Sequence, residues 1–221
     1  MKTIVLISGK LRSGKNTMSQ ILIDKLVNSG KKITEDMFAK DLKDNCKNDF
    51  KLVAEVLNDI YLDLDAILDR CVDNGLEDCI VEDMRDEIDK LKTMDDNFYE
   101  DKTPITRALL QTYGTEIFRN RVSDTYWVDQ VIERCRKSNS DYIFITDVRF
   151  PNEISRLEEQ LDYNIIKIRI ERPMDRESLD NEHPSEKGLD NYTHWDNKVE
   201  NDKGLDELEK KIDNIITQHF Y

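Results

Sequence analysis

The chain has 221 residues and a net charge of −14, from 47 Asp and Glu against 33 Lys and Arg. That length suits one domain of ordinary size with room for an inserted lobe, and the acid excess argues against a general nucleic-acid surface, which needs clustered Lys and Arg to displace counterions. No apolar run approaches the ~20 residues of a membrane span, and the 4 cysteines, Cys46, Cys71, Cys79 and Cys135, show neither a CxxC pair nor neighbouring histidines, so reduced thiols in a cytoplasmic protein are expected.

The first predicted element is a strand over Thr3 to Ile7, an unbroken β-branched and apolar run. Gly9 to Thr17 follows as GKLRSGKNT, and then Met18, Ile21, Leu22 and Leu26 recur at helical spacing. Strand, GxxxxGK and helix in that order are the context of a phosphate-binding loop. Its glycines let successive backbone N–H groups converge on a polyphosphate, and the helix beginning near Lys15 adds its positive end. Lys15 supplies a mobile cation for the β and γ phosphates. Asn16 stands where many such loops carry Ser or Thr for Mg²⁺, with Thr17 one place later, so the metal is expected to be held mostly by water and nucleotide.

Asn28, Ser29 and Gly30 stop the first helix, and Lys32 to Ala39 is a candidate second strand, weakened by Glu35 and Asp36. FAKDLK then places Lys43 one turn into a new helix, where it faces either solvent or an acceptor phosphate. Between Asn45 and Thr103 lie 18 acidic and 7 basic residues, and this segment therefore carries 11 of the 14 net negative charges. Within it, from Phe50 on, Val53, Val56, Leu57, Ile60, Tyr61, Leu64, Ile67, Leu68 and Cys71 recur at helical spacing and predict a helix stopped by Asn74 and Gly75, followed by a weaker one over Leu76 to Met94. An acidic helical insertion is the expectation.

Thr103 as N-cap and Pro104 at the first helical position open the next helix. One face of it carries Arg107, Gln111 and Gly114, two hydrogen-bonding side chains beside a residue that lets a flat ligand approach, which suggests a base pocket. The helix Tyr126 to Ser138, with Trp127, Val128, Val131 and Ile132, reads as mostly structural. Tyr142 to Thr146 is a short apolar strand ending in Asp147, the way a buried parallel strand delivers a carboxylate to the carboxyl edge of its sheet. Such an acid can bind a metal's water shell or a substrate hydroxyl, and Arg149 projects to the same side if the chain stays extended. The competing interpretation is an Asp–Arg pair that staples a loop.

A further strand, Asn164 to Ile170, leads through Glu171 and Arg172 into a polar stretch, Pro173 to Asn191, with Arg176, His183, Ser185, Glu186 and Lys187, which is either a closing segment that supplies cations to a transferring phosphoryl group or a plain linker. A short strand near Lys198 to Glu200, a turn at Asn201, Asp202 and Gly204, and a helix over Leu205 to Ile216 end the chain. Strands and helices alternating in this way predict an α/β protein, a parallel sheet of five strands with helices on both faces and ligands at the carboxyl ends of the strands.

GKLRSGKNT, FAKDLK, RALLQTYGTEIFR, the Trp127 helix, ITDVRFPNE, HPSE and the closing ND with GL together resemble the phage-type deoxynucleoside monophosphate kinases over nearly the full chain except about 45–102. The resemblance implies a three-layer P-loop NTPase fold and transfer of the γ-phosphate of ATP, with Mg²⁺, to a deoxynucleoside 5′-monophosphate. It implies ATP contacts along Gly9, Lys10, Arg12, Ser13, Gly14, Lys15, Asn16 and Thr17. For the acceptor nucleotide it implies Lys43, Gly114, Thr115, Trp127, Asp147, Arg149 and Glu153, to which the spacing adds Arg107 and Gln111. Lys15, Arg12, Asp147 and Arg149 are the expected catalytic set, with no direct protein ligand to the metal and Asp147 reaching it through water. A homodimer is suggested by the resemblance alone. Two departures stand out: Lys40 and Asp41 replace the acid and proline more usual in the acceptor-phosphate loop, and the acidic segment does not match. Two alternatives keep the phosphate loop but change the role: a kinase of a non-nucleotide phosphorylated acceptor, and an ATP-binding regulatory protein that docks a partner on its acidic lobe.

Overall fold

A computed structural model describes residues 2–49, 82, 104–173 and 184–220. The chain divides into two compact units, Met1–Lys40 with Asp124–Tyr221, and Asp41–Ser123. The expected helices over Phe50 to Cys71 and Leu76 to Met94, most of the acidic insertion, and Arg176 and His183 of the polar stretch lie outside the described residues.

The first unit is built on β1 (Thr3–Ser8), β2 (Ile33–Asp36), β3 (Tyr142–Val148), β4 (Asn164–Glu171) and β5 (Asn197–Glu200), all paired in parallel in the order β2-β3-β1-β4-β5. The chain leaves β1, fills one side of the sheet with β2 and β3, then crosses to the other side for β4 and β5. β1 therefore lies at the centre, with every residue buried, which accounts for an apolar run lacking any alternation. It also places the loop after β1 where the strand order reverses, the usual ligand-binding crevice of an open parallel sheet.

Side chains alternate across the sheet. On one face Val5, Ile7, Phe144, Ile166, Ile168 and Ile170 pack with Met18, Leu22 and Leu26 of α1 (Lys15–Asn28) and with Leu208, Ile212, Ile215 and Ile216 near the chain's end. The latter belong to α6 (Leu205–His219), which makes direct contact with α1. Phe220 closes this layer, stacked on Phe144 with ring centroids 6.4 Å apart. The opposite face carries Ile4, Leu6, Ile143 and Ile145, all fully buried. The apolar sides of α3 (Tyr126–Lys137) and α4 (Pro151–Gln160), which contact each other, form the third layer.

β2 is shorter than the sequence suggests, but its two acids do not break it. Glu35 points to solvent, and Asp36 is gripped by Arg134 of α3 through Nε at 2.7 Å and Nη2 at 2.9 Å. A paired, hydrogen-bonded carboxylate is tolerated where an isolated one would cost heavily. β3 runs two residues further than expected, so Asp147 is part of the strand and not just beyond it. Residues 39–49 are helical, and Lys43 falls in that helix.

In the second unit, α2 (Pro104–Gln111) passes directly into a π-helical stretch, Thr112–Val122. The wider turn shifts the register after Gln111, so the 3.6-residue face drawn through Arg107, Gln111 and Gly114 does not continue past that point. Gly114 is buried, and a Cβ there would lie 3.0 Å from the methyl groups of Leu42. The space that this glycine leaves is filled by the helix over 39–49. Tyr113 donates from its hydroxyl to Asp49 and packs its ring on Phe118, 4.8 Å between centroids.

Candidate active site

The loop after β1 folds as its residue types require. Lys10 O accepts from Ser13 N at 3.2 Å, closing a tight turn in which Arg12 adopts the left-handed φ of 61°. Gly14 then takes φ 99° and caps α1, whose first backbone bond runs from Met18 N to Gly14 O at 2.9 Å. No side chain caps this helix. Its leading N–H groups are thus presented as donors at the positive end of the helix dipole. Asn16 and Thr17 are exposed on that first turn.

Lys15 curls back over the loop, and its ammonium donates to Gly9 O and, at 2.9 Å, to Lys10 O. The cation is held at the loop by two neutral acceptors, which a phosphate oxygen can replace with a stronger charge-assisted bond. Ser13 is 2% exposed, and its Oγ is a buried hydroxyl with no hydrogen-bond partner among the described residues. Amide donors, a helix end, an ammonium and an unspent hydroxyl in one loop fit a polyphosphate.

Several residues that support the loop stand out only in three dimensions. Asn201, after β5, is 7% exposed and donates from Nδ2 to Ser13 O at 2.9 Å. Arg172 Nε donates to Asn201 O at 3.3 Å. Lys10 pairs with Asp190 at 3.0 Å, and Asp190 also accepts from Arg169 Nη2 at 3.3 Å. Arg169 is 5% exposed, donates from Nη1 to Ser8 Oγ at 2.9 Å and lies 5.9 Å from the Trp195 ring. The signal for Arg169 was available in NIIKIRIE, where a cation sits inside an apolar strand and must be paired. Asn201 and Asp190 had no comparable sequence signal, because their importance lies in contacts across the fold. The described part of the polar stretch is anchored: α5 (Pro184–Lys187) is followed by Gly188 against Arg149 O and the Phe150 ring, then by buried Leu189.

The carboxyl end of β3 is organised differently. Asp147 accepts from Phe38 N at 2.9 Å through Oδ1 and from Ala39 N at 2.8 Å through Oδ2, so it caps the start of the helix over 39–49. Burial pushes its pKa up, and the two amide bonds and the Arg149 charge oppose that shift. Glu153, 3% exposed, accepts from Arg149 N at 2.7 Å and Phe150 N at 3.0 Å. It closes the N-terminus of α4, where Pro151 takes the first helical position. Trp127 is 4% exposed and meets Tyr126 edge to face at 4.8 Å. The first unit thus brings the loop residues Gly9 to Thr17 together at one strand end and Asp147, Arg149 and Glu153 together at another. Lys43, Arg107, Gln111, Gly114 and Thr115 belong to the second unit. Among the described residues no group of three or more His, Cys, Asp or Glu is placed to hold a metal ion.

A glycine-rich loop between a central parallel strand and a helix, with its lysine folded over the loop, defines an α/β protein of the P-loop kinase type. The chain belongs to the deoxynucleotide monophosphate kinase family, whose model matches residues 73–212, more than half of its length. A deoxynucleoside-5'-monophosphate kinase of Escherichia phage T5 is 34% identical over 85 residues, 38% of this chain and 34% of that relative. The alignment thus spans about a third of the relative's length. The family match begins after the phosphate loop, so the loop stands on its own geometry beside the match.

Proposed function

We propose that the protein transfers the γ-phosphoryl group of ATP to a deoxynucleoside 5′-monophosphate, releasing ADP and a deoxynucleoside diphosphate. The observation that carries this reading is the loop after β1, where Lys15, the first N–H groups of α1 and the buried Ser13 hydroxyl form a site for a polyphosphate. Family membership supports the acceptor class. Phosphoryl transfer needs little covalent work from protein groups, so positioning and charge neutralisation supply most of the catalysis. Lys15 exchanges its two carbonyl partners for phosphate oxygens, and Arg12, on the exposed outer turn of the loop, adds charge as it spreads over the γ-phosphoryl oxygens. A dianionic acceptor phosphate needs no general base.

Mg²⁺ enters with the triphosphate in this reading. The loop offers amide donors and cations, not an acidic cage, and this donor set fits a metal carried by nucleotide and water with Asn16 and Thr17 nearest the helix start. When bound, the ion neutralises charge on the β- and γ-phosphates. Asp147 keeps a second lone pair on each oxygen after capping Phe38 and Ala39, enough to accept a metal-bound water or a substrate hydroxyl. Glu153 serves the acceptor through Arg149, whose backbone it fixes. Lys43, Gly114, Thr115 and Trp127 are assigned to acceptor binding on the resemblance, and Arg107 and Gln111 on their spacing. No helix among the described residues is long and apolar enough to cross a membrane; work in the cytoplasm on small nucleotides is part of the proposal. The homodimer is checked by sedimentation.

A coupled ADP-release assay with ATP and Mg²⁺ against each of the four common deoxynucleoside monophosphates, AMP and no acceptor tests the proposal. Turnover that depends on a deoxynucleoside monophosphate supports it and names the base. ATP binding with no such dependence overturns it in favour of a non-nucleotide acceptor or a regulatory role.

A further inference from the structure

We infer that Asn201 is a positioning residue for the phosphate loop: it sets the orientation of the Ser13–Gly14 peptide and so aims the Gly14 amide at the donor's phosphates. The inference rests on the phosphate-loop reading above and adds to it a residue 188 positions away from Ser13.

Three observations meet at this peptide. Asn201 donates from Nδ2 to Ser13 O at 2.9 Å in a buried setting. Among the described residues there are no cis peptide bonds, and in a planar trans peptide the C=O and the following N–H point in opposite directions. With Ser13 O turned to Asn201, the Gly14 N–H is turned away from it. Second, Gly14 has φ 99°, and a Cβ at this position would run into the Asn201 amide. The loop glycine thus answers to two constraints, its left-handed backbone and the close seat of Asn201. Third, Asn201 is itself fixed. Its backbone N donates to Glu171 O at 2.7 Å, and its carbonyl accepts from Arg172 Nε at 3.3 Å. The end of β4 therefore holds the side chain that holds the loop.

A Ser13–Gly14 peptide without this partner has a second orientation within reach, because a residue with Gly14's backbone freedom can flip its preceding peptide at low cost. In that flipped form a carbonyl oxygen meets the phosphates where an N–H should be. An aspartate at 201 keeps the shape but sets a carboxylate against the Ser13 carbonyl, which favours the flip.

The test uses full-length protein and the variants Asn201→Asp and Asn201→Ala. Calorimetry gives the Kd for MgATP, and initial rates give KM for donor and acceptor separately. Folding is followed by thermal melting. For Asn201→Asp the expected result is a rise in donor Kd and donor KM of about tenfold or more, the scale of one lost hydrogen bond to a charged group, with acceptor KM within about twofold. Donor Kd within twofold of wild type in folded Asn201→Asp overturns the inference, and so does an equal rise in both KM values, the mark of a general structural role. If Asn201→Asp does not fold, Asn201→Ala is held to the same criteria. Wild-type binding of MgATP without transfer counts against the proposed reaction and leaves the calorimetric comparison to decide Asn201. No MgATP binding by wild type overturns both.

Discussion

The loop after β1 and the segment after β3 stand at the same edge of one sheet and treat their backbone donors in opposite ways. Around Gly14 the first N–H groups of α1 are left without a side-chain cap. Around Phe150 the two N–H groups just ahead of α4, on Arg149 and Phe150, are taken by Glu153, and Phe38 and Ala39 give theirs to Asp147. Both segments begin helices, so both face the same shortage of partners for leading amides. The first keeps that shortage for a ligand, whereas the second relieves it with its own carboxylates and gains a fixed scaffold. A segment that satisfies itself can orient an arginine, but only one that does not can bind phosphate through its main chain.

The largest expected effect breaks the open side. Lys15→Ala removes the ammonium that bonds Gly9 O and Lys10 O, and turnover should fall by several orders of magnitude, as when a main electrostatic contact to the transferring group is lost. The fold should survive, because alanine suits the start of a helix and α1 keeps its buried Met18, Leu22 and Leu26. Near-normal turnover in a folded variant would sink the loop's assigned role. On the closed side the largest effect is on stability. Glu153→Ala strands two backbone donors and should cost about 2–4 kcal/mol, read as a lower urea midpoint at unchanged slope. Its acceptor KM should rise more than its donor KM, since it fixes Arg149; equal effects on both would leave Glu153 a plain helix cap.

The open side was legible in the sequence for the reason that makes it open. A strand, GxxxxGK and a helix are local, and Lys15, Gly14 and the helix start at Lys15 all appear where the pattern puts them. The fold class was legible too, since apolar runs in β1, β3 and β4 imply strands buried on both faces and hence a parallel sheet. The closed side was half legible. ITDVRFPNE marks itself out, but nothing local says that Asp147 caps residues 109 and 108 positions away, at Phe38 and Ala39. Nor does residue type announce that Leu42 lies beside Gly114, or that a helical period gives way to π geometry after Gln111. Asn201 and Arg169 act through partners 188 and 161 positions distant, a separation that periodicity cannot see.

A smaller effect sharpens the comparison through pH. Burial raises the Asp147 pKa in the folded protein above that of the unfolded chain, against the pull of its amide donors and Arg149. The folded state therefore holds its proton to higher pH than the unfolded state does. Wild-type stability from this group is full below the unfolded pKa, near 4, and declines as pH rises through the folded pKa. Asp147→Asn has no proton to lose. The stability difference between wild type and Asp147→Asn should accordingly be greatest at acid pH and shrink above the folded pKa, as measured by urea melts across that range. A difference that grows with pH would mean that the amide bonds outweigh burial.

The smallest effect concerns Lys10, which joins the open loop to the anchored turn at Asp190. This ion pair is part-exposed, 28% and 37% for the two side chains, and pairs of that kind contribute about 0–1 kcal/mol. Asp190→Asn keeps an oxygen for Arg169 while removing the charge opposite Lys10, so stability should change by less than about 1 kcal/mol. Donor KM is the more informative readout. If Asp190 holds Lys10 in place for phosphate, the variant raises donor KM a few-fold, and the rise disappears in a Lys10→Met background, where the partner is already gone. If Asp190 instead competes with phosphate for Lys10, the variant lowers donor KM. The loop side is defined by donors kept for a ligand, and so the competing arrangement is the one expected, with KM falling and the double variant matching Lys10→Met alone.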